Sequence, residues 1–131
     1  MTTGPQTKKP VDITDPVLVI RIQRGYRPGM SAQALYEITR GVWVVGPRRT
    51  GARYALAVFD GVVREVYAID SWHPAGSTAY TTRPYEHVHR PGRWEFTGEP
   101  APAEMRQQYI GKSVAHLWQR GASNPATYVN C

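Results

Sequence analysis

The residues of this sequence best suited to chemistry are tryptophans, of which it has four. Trp43, Trp72 and Trp94 each stand beside a predicted strand boundary or loop, where an indole face can line an opening. Indole rings stack on flat bases, and their π faces attract a methylated amine. The alternative is that each ring fills the core with its N–H paired. Trp118 shares a predicted helix with apolar neighbours and is expected in the core.

Arginine is the second candidate group, because its planar fork binds phosphate oxygens bidentately. The chain has 16 Lys and Arg against 10 Asp and Glu, a net charge of +6, and 13 of the 16 basic residues are arginine. Arginines in predicted loops that could contact a phosphate backbone are Arg24, Arg48, Arg49, Arg53, Arg83, Arg90 and Arg93. The alternatives are solvated loops and the codon usage of a GC-rich genome. A nucleic-acid partner is therefore favoured by charge but not established by it.

A metal site is the competing hypothesis. His87 and His89 are two positions apart, and on a strand such side chains point the same way, with Glu95 downstream as a third ligand. The alternative is a pair of solvent-facing loop histidines. A lone cysteine, Cys131, excludes an internal disulfide and any zinc site with two thiolates. The binding hypothesis needs no cofactor or metal.

Several short segments must position these side chains, and most of them are strands. Alternating or continuous β-branched runs predict strands at 17–22, 42–45, 54–59, 62–69, 93–98 and 126–129. Short helices are predicted at 31–40, with Ser31 as the N-cap and Gly41 at C′, from 102 to 111, and at 114–120. This order favours an α+β, β-rich fold, a small barrel with two to three short helices packed outside.

The hairpin in the middle carries the strongest local signal. Asp60-Gly61 is the preferred pair for a type I′ turn. Simple alternation then places Tyr67 on the face of Leu56, and Val66 on the face of Ala55. Both faces are mostly apolar, so the hairpin should be central and covered on both sides. After it, residues 71–91 show no periodicity, and so long an irregular stretch is often functional.

Length and composition predict one domain. Residues 1–15 are expected to form a flexible N-terminal arm, and residues 16–131 the single barrel domain. No run approaches the roughly 18 apolar residues of a membrane helix, and no secretion signal is visible. These features predict a cytoplasmic protein without a membrane partner, and a monomer is favoured.

A family resemblance sharpens the binding hypothesis. Arg40-Gly41-Val42-Trp43 resembles the helix-to-strand turn of YTH domains, which read N6-methyladenine. A basic loop, the hairpin, Pro74-Ala75-Gly76 and a strand at 92–96 follow in the same order, so the likeness covers residues 17–102. The wider group is the PUA-like barrels, including EVE and ASCH domains. The resemblance implies that Trp43 forms one wall of a base pocket, and that Trp72 lies near the second. EVE and ASCH relatives suggest other modified bases or RNA.

The sequence thus predicts a reader of DNA or RNA that holds a flipped or unpaired, modified or unmodified base in an aromatic pocket. Trp43 forms one wall, Trp72 or Tyr80 the other, and Trp94 belongs to the same aromatic set. The open alternatives are a metal-dependent enzyme using His87, His89 and Glu95, and a protein-interaction accessory module.

Overall fold

A computed structural model describes residues 10–118 and 124–131 of the chain. It has an α+β fold in which six strands form one curled, half-barrel sheet with three short helices, which confirms the predicted class. The strands are β1 (Val17–Arg21), β2 (Gly41–Trp43), β3 (Tyr54–Phe59), β4 (Val62–Pro74), β5 (Trp94–Pro100) and β6 (Ala126–Val129). The helices are α1 (Ala32–Arg40), α2 (Tyr85–Val88) and α3 (Ala103–Tyr109), with 3-10 turns at Pro47–Gly51 and Ala115–Leu117.

The strand order across the sheet is β2-β5-β4-β3-β1-β6. β1 and β3 run parallel, and the other neighbouring strands run antiparallel. The short strand β2 therefore stands at one end of the sheet, directly after α1 and beside β5. That position places the Trp43 end of β2 near the loop that connects β4 to β5.

The central hairpin turns at Asp60 and Gly61, whose φ angles of 54° and 75° confirm the predicted type I′ turn. Its predicted register is wrong beyond the turn, because Val58 pairs with Val63 whereas Ala57 pairs with Glu65. The extra residue between them forms a β-bulge, and one inserted residue moves every later side chain to the opposite face.

As a consequence, Val66 packs with Leu56 on one face, and Tyr67 packs with Ala55 on the other. Both faces are nevertheless covered, as predicted. The face of Leu56 is packed against Tyr109 at the end of α3, and the face of Ala55 lies beneath apolar side chains of α1. Burial of apolar surface stabilises a fold by roughly 25 cal/mol per Å². This hairpin buries apolar side chains on both faces, which favours its central place in the sheet.

Helix α1 begins as predicted, with the Ser31 hydroxyl accepting from the Ala34 N–H at 3.1 Å. Gly41 is not the expected left-handed C′ residue, because its φ is −165° and it starts β2 directly. Glycine is needed there for space. A Cβ at position 41 would lie 2.5 Å from the Tyr80 hydroxyl and 3.0 Å from the Glu95 Cβ.

The segment predicted to be irregular, 71–91, contains more structure than expected. β4 continues to Pro74 by pairing with β5, after a second bulge between Ile69 and Ser71, and α2 forms one helical turn. At the other end of the chain, the helix predicted at 114–120 is a 3-10 turn at Ala115–Leu117, and its last two residues lie outside the described part.

The predicted arm lies partly outside the described residues, which begin at 10. Residues 10–15 run against the domain: the Val11 N–H donates to the Ser113 carbonyl at 3.1 Å, and the Tyr109 hydroxyl donates to Asp15 at 2.6 Å. In the described parts of the chain, no helix has the length and apolar character required to cross a membrane.

Candidate functional site

A cavity of about 900 Å³ opens where the end of β1, α1, the start of β2 and the segment around α2 meet. Trp43 lines it, together with apolar side chains that include Ile38 and Met30. Six arginines also line it: Arg21, Arg24, Arg27, Arg83, Arg90 and Arg93. Among the described residues that line this cavity, which we call the Trp43 cavity, there is no Asp or Glu.

The Trp43 ring is half-buried, and its N–H is already used. The indole Nε1 donates to the Thr39 carbonyl at 2.7 Å, at the last turn of α1. One part of the ring packs on the core cluster, and the rest lines the cavity. The ring is therefore fixed in orientation by the protein, and what it offers to a ligand is its flat apolar surface.

Four of the cavity arginines are exposed cations. Within the described residues, the side chains of Arg24, Arg27, Arg90 and Arg93 make no hydrogen bond or ion pair. Arg83 is different, because it donates to the Glu37 carbonyl at 3.0 Å and also to the Gly41 carbonyl. Burial lowers the pKa of Arg83. Of the predicted phosphate contacts, Arg24, Arg90 and Arg93 are exposed in this cavity, and Arg83 lies in its wall.

The second cavity, about 690 Å³, is lined by Trp72 and Trp94 and by Arg49 and Arg53. The Arg49 guanidinium lies 3.5 Å from the centroid of the Trp94 ring. Trp72 packs edge-on against Phe96, with centroids 5.4 Å apart. Trp43 and Trp72, predicted to be two walls of one pocket, therefore line different cavities.

Tyr80 is not the second wall either. Its hydroxyl donates to Glu95 at 3.0 Å, and the Arg40 guanidinium lies 3.8 Å from its ring centroid. Burial raises the pKa of Tyr80 above its ordinary value. Tyr80 belongs to a buried polar network behind the cavity.

Glu95 is the centre of this network, which we call the Glu95 network, and it is fully buried. Its carboxylate accepts from the backbone N–H of Gly76 at 2.7 Å and of Thr78 at 2.8 Å, from the Thr78 hydroxyl, and from Tyr80. Buried Arg40 is 3.8 Å away. Burial alone would raise the pKa of Glu95, but the hydrogen bonds from Thr78, Gly76 and Tyr80 outweigh it and lower the pKa.

Glu37, on α1, is a second fully buried carboxylate. It accepts from the backbone N–H groups of Thr81 at 2.9 Å and Thr82 at 2.7 Å, and from both threonine hydroxyls. Burial would raise its pKa, yet the bonds from Thr82, Gln33 and Thr81 lower the pKa to about 2. Glu37 and Glu95 together hold the segment 76–82, which connects the end of β4 to α2.

Sequence reasoning missed the roles of Glu37 and Arg40. The available signal was weak but present. Glu37 lies within a short helix that has apolar residues on either side of it in the sequence, where a buried carboxylate without partners would be costly, and the threonines at 78, 81 and 82 supply the N–H and hydroxyl donors that such a group needs.

The predicted metal cluster is not formed. His87 and His89 lie on and next to the helical turn α2, where positions two apart point to different sides, and both are exposed. Glu95 is buried in its own network. In the part of the chain that the structure describes, no group of three His, Cys, Asp or Glu side chains could hold a metal ion.

The remaining predicted phosphate contacts lie away from the Trp43 cavity. Arg48 donates to the carbonyl of Cys131 and lies 4.6 Å from the Tyr128 ring centroid. Arg53, beside the second cavity, lies 5.6 Å from the Tyr54 ring centroid. The arginines that the sequence grouped by their positions in loops thus divide into three separate places.

Comparison with known proteins identified no relative of this chain. The chain matches no family model, no curated protein and no solved structure. The PUA-like resemblance stays a prediction, and the function must be argued from the site.

Proposed function

We propose that this protein binds nucleic acid and holds one unpaired base, modified or unmodified, in the Trp43 cavity. One observation carries the proposal: a fixed indole and several uncompensated guanidinium groups line the same cavity, with no carboxylate among its described lining residues. A flat ring face suits a base, and the cations suit its phosphates.

The size of the cavity agrees with this ligand. A volume of about 900 Å³ lies within the roughly 300–1,000 Å³ that small-molecule sites occupy. Extruding a base from a stack costs a few kcal/mol, and stacking on an aromatic ring offsets about 1–3 kcal/mol of that cost. The apolar side chains of Ile38 and Met30 extend the contact surface beside Trp43.

The test measures binding by fluorescence anisotropy with short labelled DNA and RNA oligomers at two salt concentrations. Each oligomer carries either adenine or N6-methyladenine. Trp43→Leu keeps apolar volume but removes the flat ring, and we expect it to weaken binding about five- to a hundredfold. Trp94→Leu is the matched control, because Trp94 pairs with Trp43 in register but lines the second cavity.

Four results would count against this proposal. Loss of binding in Trp94→Leu alone would place the base in the second cavity. Equal loss of binding in both variants would mean that neither cavity is the specific site of the base. Binding by the unsubstituted protein that does not weaken as salt rises would contradict phosphate contacts. Complete absence of binding to every oligomer would favour the protein-interaction module instead. The comparison of adenine with its methylated form decides the modification.

A further inference from the structure

A second aromatic surface lies on α2, outside the Trp43 cavity. Of the Tyr, Trp and Phe rings in the described residues, only that of Tyr85 is mainly exposed, at 67%. It stacks on His89, with ring centroids 4.6 Å apart and planes 18° from parallel. We call this pair the Tyr85 platform. His89 covers one face of the Tyr85 ring, and at this exposure the opposite face is open to a ligand.

The platform is held from behind by the Glu95 network. Gly76 has φ of +87°, and a Cβ there would lie 2.5 Å from His89 Nδ1, so glycine allows the loop to press against the imidazole. The Gly76 N–H donates to Glu95 at 2.7 Å. The backbone N–H of His89 also donates to the backbone carbonyl of Tyr85 at 2.9 Å. A ring pair fixed in this way loses little conformational entropy when it binds.

The platform and the Trp43 cavity share α2. His87 and Arg90 line the cavity, whereas Tyr85 and His89, four positions apart, share another side of the same short segment. Arg90 is exposed and, within the described residues, without a carboxylate partner. Glu86 is the one carboxylate of this turn. A chain that leaves the cavity across α2 therefore meets a cation first and then an open aromatic face.

We infer that the Tyr85 platform stacks the base next to the one held in the Trp43 cavity, so that the ligand is single-stranded nucleic acid of at least two nucleotides. This inference rests on the proposed function and narrows its substrate. In a duplex, bases are stacked and paired inside the helix and cannot lie on a protein ring without being extruded. Aromatic platforms that hold successive bases are typical of single-strand binding.

The experiment compares three labelled ligands: a mononucleotide, a single-stranded pentanucleotide, and a duplex of the same sequence. We expect Tyr85→Ala to weaken binding of the pentanucleotide about five- to a hundredfold, and to change mononucleotide binding less than about twofold. Tyr85→Phe keeps the ring and should bind the pentanucleotide within about twofold of the unsubstituted protein. Val44→Ala is the matched control, because Val44 is equally exposed, at 70%, but has no ring.

The outcomes separate the two proposals. If Trp43→Leu weakens pentanucleotide binding and Tyr85→Ala does not, the platform is overturned and the cavity proposal stands. If Tyr85→Ala weakens the mononucleotide as much as the pentanucleotide, Tyr85 belongs to the cavity and the two-base inference fails. Tighter binding of the duplex than of the single strand would also overturn it. If the unsubstituted protein binds none of the three ligands, both proposals fail.

Discussion

The segment 76–82 and the Trp43 cavity adjoin each other, and their charged groups differ in whether they have hydrogen-bond partners. The segment donates hydrogen bonds to the carboxylates of Glu37 on α1 and Glu95 on β5, both of which are fully buried. In the cavity, cations such as Arg90 and Arg93 are exposed and have no carboxylate partner among the described residues. One region satisfies its charges internally, and the other keeps them available.

The difference distinguishes charges that hold the fold together from charges that remain exposed to solvent. A buried charge without partners costs several kcal/mol, so Glu37 and Glu95 can exist only because the threonine-rich segment wraps around them. An exposed guanidinium is stabilised by water and costs little to leave unpaired. Several exposed guanidiniums around one cavity nevertheless repel one another, and a bound anion would relieve that repulsion.

The largest effect is expected at Glu95. Glu95→Ala removes the buried acceptor of four hydrogen bonds and the carboxylate that lies beside buried Arg40. We expect the free energy of unfolding to fall by about 3–5 kcal/mol. Glu99→Ala is the control on the same strand, because Glu99 is exposed and should change stability by less than about 0.5 kcal/mol. Urea unfolding followed by circular dichroism measures both. A loss below about 1 kcal/mol for Glu95→Ala would show that the network does not hold the segment.

A smaller effect follows from the titration of Glu37. Its pKa is lowered from 4.5 to about 2 in the folded protein, so its contribution to stability is complete above about pH 4.5 and is lost as pH falls toward 2. We expect roughly 2 kcal/mol of this contribution to disappear between pH 6 and pH 3.

Glu37→Gln isolates that contribution, because the pKa of Glu95 is also lowered and adds a loss of the same sign. The variant should be less stable at pH 6, and its free energy of unfolding should fall less steeply toward pH 3. Parallel pH curves for the two proteins would mean that Glu37 is not titrating in the expected range.

The smallest effect concerns the cavity cations and is one of binding. The double variant Arg90→Gln/Arg93→Gln should weaken single-strand binding about tenfold and reduce the slope of log affinity against log salt by about 1.4, since each phosphate contact on a single strand contributes about 0.7. Its stability should change by less than about 0.5 kcal/mol.

Two controls sharpen this last measurement. Lys112→Gln removes a positive charge beside the C-terminal end of α3, where the Lys112 ammonium contacts the Gln108 carbonyl. Arg48→Gln removes a predicted phosphate contact that the structure places against the Cys131 carbonyl. Each should change affinity less than about twofold. An Arg48 effect as large as that of the double variant would show that net charge, and not the cavity, governs binding.

Short-range patterns were predictable from the sequence and long-range pairings were not. The Ser31 cap, the Asp60-Gly61 turn and the strand β1 depend on neighbouring residues, and the structure has all three. The face on which Tyr67 lies was predicted wrongly, because a single bulged residue, invisible to alternation, reverses it.

The candidate site divides in the same way. Trp43 was predicted from its position at the end of a short helix, and Arg24 and Arg90 from their residue type, and the structure places all three around one cavity. Trp72 and Tyr80 were assigned to the wrong place, since nothing local distinguishes an indole in a second cavity, or a phenol bound to a buried carboxylate, from a pocket wall.

By itself, the sequence determined a β-rich domain with a two-sided central hairpin and a surplus of arginine, because alternation, turn chemistry and charge are properties of adjacent residues. Only the tertiary structure decided which charges are paired. Glu37 meets Thr82 across 45 positions, and Arg40 meets Phe96 across 56. The donors that satisfy a buried carboxylate are brought to it only when the chain folds, because they come from residues far away in the sequence, and the same folding leaves Arg90 and Arg93 exposed beside Trp43.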